Sequence, residues 1–377
     1  MKFVIAPDSF KGSLTAKEVA EAIKTGISKI MPNADCVLVP MADGGEGTMQ
    51  ALVDASAGRI LHTPVHDPLG RLVQTKFGLL GDGSTAVIEM AQASGLQYVD
   101  DKTRNPMLTS TLGTGELIKA ALGQGVTQII IGIGGSATND GGAGMAQALG
   151  VKLLDEQGQE LEPGGGNLGK LAKVDRSGLD PSLAAVKILV ASDVTNPLTG
   201  PDGASAVFGP QKGASSEQVK FLDQNLKHYA DIVAPDLAAK PGAGAAGGLG
   251  FGLMAFTNSS FQKGVDLVID QVGLRQKMQG ADFVITGEGR IDRQTKFGKT
   301  PYGVALLAHE VVPQAAVIVL AGNIGAGVAD LYDPPIDAIF ATPSGAKPLE
   351  RAMTEGKEDI AICAENIARL IKKIKKQ

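Results

Sequence analysis

The chain has no tryptophan, only two cysteines and four histidines, and 4% aromatic residues among 377. Cys36 and Cys363 lie far apart, with no CxxC pair and no Cys/His cluster at metal-binding spacing. A disulfide framework and a soft-metal site are therefore disfavoured, and a reducing compartment is expected. Positive charge is also short: 35 Lys and Arg against 40 Asp and Glu give a net charge of −5, which leaves no global basic surface for a polyanion. The basic run Lys372, Lys373, Lys375, Lys376 ends an apolar-periodic segment (Ala364, Ile367, Leu370, Ile371, Ile374). That placement suits a helix C-terminus better than a nucleic-acid arm. Apolar runs such as Val126 to Ile133 fall far short of a membrane span, and Phe3-Val4-Ile5-Ala6 follows one lysine with no leader pattern. The expectation is a cytoplasmic protein that engages neither nucleic acid nor membrane.

Glycine, in contrast, is abundant, with 50 residues. No G-X-Y period accompanies it, so collagen is excluded, and the glycines must serve turns, close packing or backbone near a ligand. At 44% apolar the chain can bury a large core, and its length favours two domains. Lys2 to Ala6 and Cys36 to Pro40 read as strands. Thr15 with Glu18 makes a capping box before an amphipathic helix (Val19, Ala20, Ile23, Ile27, Ile30), and Gly47 to Ser56 forms a second helix. From Arg59 short strands follow without helices (Thr63 to Val65, Leu72 to Leu79, Thr85 to Met90), which suggests antiparallel pairing. Gln128 to Gly132 and Val186 to Ala191 are further strands. Near residue 280 the first texture returns with strands Asp282 to Thr286, Ala316 to Leu320 and Asp337 to Ala341. Two strands before the middle block and three after it predict a discontinuous flavodoxin-like doubly wound α/β domain. It would span 1–60 plus 275–377, with a mixed α/β domain over 61–274 inserted in it and the active site in the cleft between them. The low-complexity run Gly242 to Gly252 reads as a packed turn or ligand-facing loop rather than a linker, with a hinge as its expected use.

Five segments place glycines and small polar residues beside a carboxylate directly after a strand. They are Asp8-Ser9-Phe10-Lys11-Gly12-Ser13, Asp43-Gly44-Gly45-Glu46-Gly47, Gly132 to Gly144, Asp193-Val194-Thr195-Asn196-Pro197, and Gly287-Glu288-Gly289-Arg290-Ile291-Asp292. The third joins a strand to a helix, where converging N–H groups suit phosphate. It is neither a Walker loop nor a Rossmann fingerprint. With no Cys or His in these loops, oxygen ligands suit Mg²⁺ shared with a phosphate. No GxSxG elbow is present. Phosphoryl transfer needs only positioning, cations, Mg²⁺ and a carboxylate base, and these parts are all present.

These segments, together with Phe208-Gly209-Pro210-Gln211-Lys212-Gly213, resemble the type-1 bacterial glycerate kinases from residue 2 to about 370. The resemblance implies an ATP- and Mg²⁺-dependent enzyme that phosphorylates D-glycerate, built as a flavodoxin-like domain interrupted by a second α/β domain. On chemistry, the loop of Gly134, Gly135, Ser136, Thr138, Asn139, Gly141 and Gly142 would cradle the ATP phosphates, and Asp193 with Asp140 would hold Mg²⁺. Lys11 or Arg290 would pair with the substrate carboxylate. Asp8, Asp43 and Asp292 are the candidate bases, and Ser9, Glu46, Asn196 and Glu288 further substrate contacts. 2-Phosphoglycerate is taken ahead of 3-phosphoglycerate, although no residue decides between the hydroxyls. The expected partners are the small molecules D-glycerate and ATP; a homodimer stays open. Rival readings are a kinase of another small hydroxy acid and a sugar-acid-sensing regulator. The regulator would need a helix-turn-helix and a basic face, and neither is visible.

Overall fold

The computed structural model describes residues 1–332 and 334–375. The chain divides into two compact units, Met1–Ala57 with Lys263–Gln377, and Gly58–Gln262. The first unit is built on a five-stranded parallel sheet, in spatial order Asp35–Leu38, Lys2–Ile5, Phe283–Ile291, Ala316–Ile324, Ala338–Ala341. Numbered along the chain within the unit this order is 2-1-3-4-5, the flavodoxin-like arrangement the strand count implies.

The first helix, Ala16–Ile30, begins at the capping box read from the sequence: the Glu18 N–H donates to Thr15 Oγ1 at 3.3 Å, and the Thr15 N–H donates to Glu18 Oε2 at 2.9 Å. Its apolar stripe Val19, Ile23, Ile27 meets Ile360, Ala364, Ile367 and Ile371 of the last long helix, Gly356–Ile374, over the strand residues Phe3, Ile5, Ile285 and Leu320. Side chains alternate along a strand, so Val4 and Val284, also fully buried, turn to the opposite face. Helix Thr300–Val311 packs against the two central strands of this sheet. Both faces are thus covered, as a parallel sheet requires.

Two of these strands outrun the sequence expectation. Phe283–Ile291 and Ala316–Ile324 continue to pair through Glu288 with Ala321 and Arg290 with Asn323. The Gly287 to Ile291 segment expected as a loop is therefore strand, and it sets Glu288 and Arg290, two residues apart, on one side.

The second unit carries a six-stranded mixed sheet, in order Ser259–Gln262, Lys187–Ala191, Gln128–Gly132, Thr85–Glu89, Leu72–Leu79, Arg59–His66. The first four run parallel, and the last two add antiparallel, as the helix-free stretch suggests. The Gly242 to Gly252 run is a packed turn and not a linker: Ala246, Gly247 and Gly248 adopt left-handed backbone angles, and from Leu249 the chain runs on as the regular part of helix Ala245–Phe256. That helix is apolar all round because it passes between two cores. Leu249 and Leu253 join Ile131 and Val190, while Phe251 and Phe256 join Leu226 and Tyr229.

Gly26 marks the crossing of Ala16–Ile30 with Gly356–Ile374. A Cβ there would stand 2.2 Å from the carbonyl oxygen of Ala361. In an exposed helix Gly→Ala stabilises by about 1 kcal/mol, but here a backbone atom must move. Gly26→Ala is expected to destabilise by about 1–3 kcal/mol, as overpacked cores do, measured by chemical denaturation.

Candidate active site

The carboxyl ends of the parallel strands in the first unit surround a pocket of 790 Å³, with Asp8, Asp43, Glu288, Arg290 and Lys299 on its wall. In open α/β sheets this edge is where ligands bind. Asp8 follows strand Lys2–Ile5 and is fixed by its own backbone N–H, which donates to the Gly287 carbonyl at 2.8 Å. Its Oδ1 accepts from the Ser9 N–H at 2.6 Å and its Oδ2 from the Thr300 hydroxyl at 2.6 Å. Thr300 is fully buried at the first position of helix Thr300–Val311. Glu288 accepts from the Thr295 hydroxyl at 2.8 Å and from Lys299 Nζ at 3.1 Å. Asp43 Oδ1 accepts from the Gly45 N–H at 3.0 Å.

Crowding of carboxyl groups sets the electrostatics. Burial, then the neighbouring Asp43 and, more weakly, Glu288, push the Asp8 carboxyl up to about 7, against the pull of the Thr300 and Ser9 hydrogen bonds. Burial raises Glu288 as well, opposed by Thr295 and Lys299. An acid poised near neutrality inside a pocket is the usual mark of a working group.

The remaining sequence candidates of this unit sit at its margins. Lys11 and Ser9 line both this pocket and a smaller one of 270 Å³, which also takes Glu46. Asp292 lies outside the main pocket. It caps the short helix Arg293–Lys296 through the Gln294 N–H at 3.0 Å and stands 3.2 Å from Arg290 Nε. Its place is to cap and to orient Arg290 rather than to face the other carboxylates.

The glycine loop of the second unit departs furthest from expectation. Gly134 and Gly135 are exposed, but Ser136, Thr138, Asn139, Asp140, Gly141 and Gly142 are buried. The N–H groups of Ala137, Gly141, Gly142 and Gly144 are taken by Ser94 O, Gly247 O and the Asp140 carboxylate. Ser136 Oγ and the Thr138 carbonyl each accept from Lys212 Nζ at 2.6 Å, and Asn139 donates to Ser205. Gly142 (φ +76°) presses on Gly252 and Gly247 (φ +70°) on the Thr138 carbonyl, so these glycines admit backbone to backbone contact. Only the Gly134–Gly135 edge is open, and the buried loop is not the phosphate cradle that its composition suggests.

Asp140 is likewise corrected. It is 0% exposed, and its oxygens accept from the Thr111 N–H and hydroxyl at 2.8 and 2.9 Å and from the Gly142 and Gly144 N–H groups at 3.2 Å. No face remains for a cation; burial pushes this carboxyl up against those bonds. Asp193, by contrast, is exposed just beyond strand Lys187–Ala191. Asn196 donates to the Asp202 carbonyl at 2.8 Å and accepts from the Gly244 N–H at 2.9 Å. Among the described residues no group of three or more His, Cys, Asp or Glu is placed to hold a metal ion.

Three residues carry contacts to which the sequence reading assigned no role: Lys299 and Thr300, which hold Glu288 and Asp8, and Lys212. A Lys-Thr-Pro start of a helix just after an acidic strand is a signal for the first two. Lys212 is 1% exposed, and burial lowers its ammonium to about 7 while Asp140 opposes the shift. Nothing local to a lone lysine shows that it is buried.

The model of the glycerate kinase family matches residues 3–372. A glycerate kinase of Bacillus subtilis (strain 168) is 54% identical, covering 99% of this chain and 98% of its own. A glycerate 2-kinase of Escherichia coli (strain K12) is 49% identical over 98% and 97%. A crystal structure assigned as glycerate kinase 2 of Salmonella typhimurium LT2 superposes with a TM-score of 0.92 at 49% identity, covering all of both chains.

The interior role of Asp140 can be tested against a metal-binding one. Asp140→Asn turns an amide N–H toward donors that an oxygen now receives, and is expected to cost about 1–3 kcal/mol of stability. The Mg²⁺ concentration giving half-maximal activity in the folded fraction should stay within about twofold of wild type, since the group has no open face; a rise of tenfold or more would restore Asp140 as a ligand.

Proposed function

The chain belongs to the glycerate kinase family, and we propose that Asp8 is the base through which it moves the γ-phosphoryl group of ATP onto a hydroxyl of D-glycerate. The observation that carries this reading is the position of Asp8: it shares one pocket with Asp43, Glu288 and Lys299, and its carboxyl lies near 7. At neutral pH such a group exists in both forms, which is the condition for taking a hydroxyl proton and releasing it later. The Thr300 hydroxyl and Ser9 N–H hold its two oxygens, so the carboxylate is oriented before substrate arrives.

Binding of the acid falls to the cations on the same wall. Lys11 is exposed, and Arg290, steadied by Asp292, offers a planar fork for a carboxylate. Lys299, tied to Glu288, adds positive charge next to the base. For Mg²⁺, which ordinarily keeps waters and shares phosphate oxygens with one or two carboxylates, the fitting group on this pocket wall is Asp43, which accepts from Gly45 through one oxygen. When bound, the ion neutralises charge on the phosphate oxygens. The product is taken to be 2-phosphoglycerate, supported by the 49% identical relative named glycerate 2-kinase.

Asp8→Asn is expected to lower kcat by roughly 10²–10⁴ with the KM for glycerate near wild type, measured by coupled ADP release. Wild-type kcat should climb as pH rises through about 7; near-normal kcat in Asp8→Asn would remove Asp8 as the base. Stability should move the other way. The folded carboxyl keeps its proton up to about 7, against 3.8 ordinarily, so its contribution is full below about 4 and is lost as pH rises to about 7. The melting temperature of wild type should therefore fall relative to Asp8→Asn across that window. Phosphorus NMR of the product decides the regiochemistry, and a 3-phosphoglycerate signal would overturn the 2-hydroxyl assignment.

A further inference from the structure

The 790 Å³ pocket is far larger than a three-carbon acid needs, and its two ends differ in chemistry. One end holds Asp8, Asp43, Glu288 and Lys299. The other is walled by Pro343, Ala346, Leu349, Ala352 and Met353, with the Lys347–Asp359 ion pair beside them. The geometry points to this more apolar end as the nucleoside site of ATP, with the purine ring against the Leu349–Met353 segment and the triphosphate running back along the strand ends toward Lys299. This assignment rests on the kinase reading above and specifies where its second substrate binds.

Four observations support it. First, the spacing fits. Glu288 stands on strand Phe283–Ile291 and Thr342 just past Ala338–Ala341, two strands away; Asp8 follows the strand one further. At about 4.8 Å per strand the two ends lie roughly 10–14 Å apart, the reach of an extended triphosphate with its ribose. Second, the slot is open: no heavy atom stands within 4 Å of a Cβ added at Gly345, which leaves room beside that loop for a planar ring.

Third, the outer wall is fastened. Lys347, 10% exposed, donates to Asp359 at 2.8 Å and to Glu355 at 2.7 Å, and Ser344 donates to Asp359 at 2.7 Å, tying the loop after strand Ala338–Ala341 to helix Gly356–Ile374. Fourth, Leu349 remains 75% exposed at the rim, on the same wall as Ala352 and Met353. A bound purine would cover it.

Because the chain contains no tryptophan, Leu349→Trp places a single tryptophan, selectively excited beyond the tyrosine absorption, at the rim. Saturable quenching by ADP and by a non-hydrolysable ATP analogue, but not by inorganic tripolyphosphate, is expected; no change with either nucleotide overturns the assignment. Gly345→Leu places a side chain in open space, so folding should survive, checked by circular dichroism. It should raise the calorimetric Kd for the ATP analogue at least about tenfold, with the Kd for D-glycerate within about twofold. An unchanged nucleotide Kd in this variant sends the phosphates elsewhere, including the exposed Gly134–Gly135 edge. If wild type phosphorylates glycerate while both variants bind nucleotide normally, only this inference fails. If wild type binds nucleotide yet phosphorylates no glycerate, the function fails and the nucleoside site stands.

Discussion

At Gly264 a single added methyl carbon would stand 1.8 Å from the Asp43 carbonyl oxygen. Contact of backbone with backbone at this range recurs through both units and is the constraint on which the rest depends. It sets the last long helix against the first at Gly26, and it lets helix Ala245–Phe256 lean on the loop before helix Ala143–Ala148. Each contact removes space that a side chain would fill, and each pulls polar backbone out of water. The hydrogen bonds must then be made internally, and they are: Thr111, Gly142 and Gly144 converge on Asp140, and Lys212 reaches Ser136 and the Thr138 carbonyl. In the second unit tight packing and a buried polar network are thus two sides of one arrangement.

The same physics acts differently in the pocket of the first unit. There Asp8, Asp43 and Glu288 share one wall, and Glu288 is paired with Lys299. Desolvation and mutual repulsion favour the protonated form, and at Asp8 they outweigh two hydrogen bonds to its oxygens. Desolvation pushes both Asp140 and Asp8 upward, the first fully buried and the second half-buried. They differ in that Asp140 is enclosed by donors on every side, whereas Asp8 faces a pocket that admits a ligand. Openness, and not the direction of the shift, separates the two groups.

Much of this architecture was legible from local pattern. The capping box at Thr15, the strand Gln128–Gly132 and the flavodoxin-like count of five strands follow from short-range periodicity. The carboxylates Asp8, Asp43 and Glu288 stand out in the sequence too, because each comes where an apolar run gives way to glycine and polar residues. The glycine-rich loop misled for a physical reason. Glycine beside Ser, Asn and Asp is required both where backbone approaches a phosphate and where backbone approaches backbone, and composition cannot separate the two uses. The partner of Gly142 is Gly252, and that of Thr138 is Gly247, more than 100 residues along the chain.

By itself the sequence determined which segments become strands and helices, that the first unit is interrupted, and that oxygen-bearing side chains cluster at strand ends. These are consequences of periodicity, capping and turn chemistry, which act over a few residues. Only the tertiary structure decided which of those clusters is a pocket. Thr300 meets Asp8 across 292 positions, and Lys212 meets Ser136 across 76. Burial, and with it the protonation of Asp8 and the enclosure of Asp140, depends on what distant chain covers each group, and no local pattern carries that information.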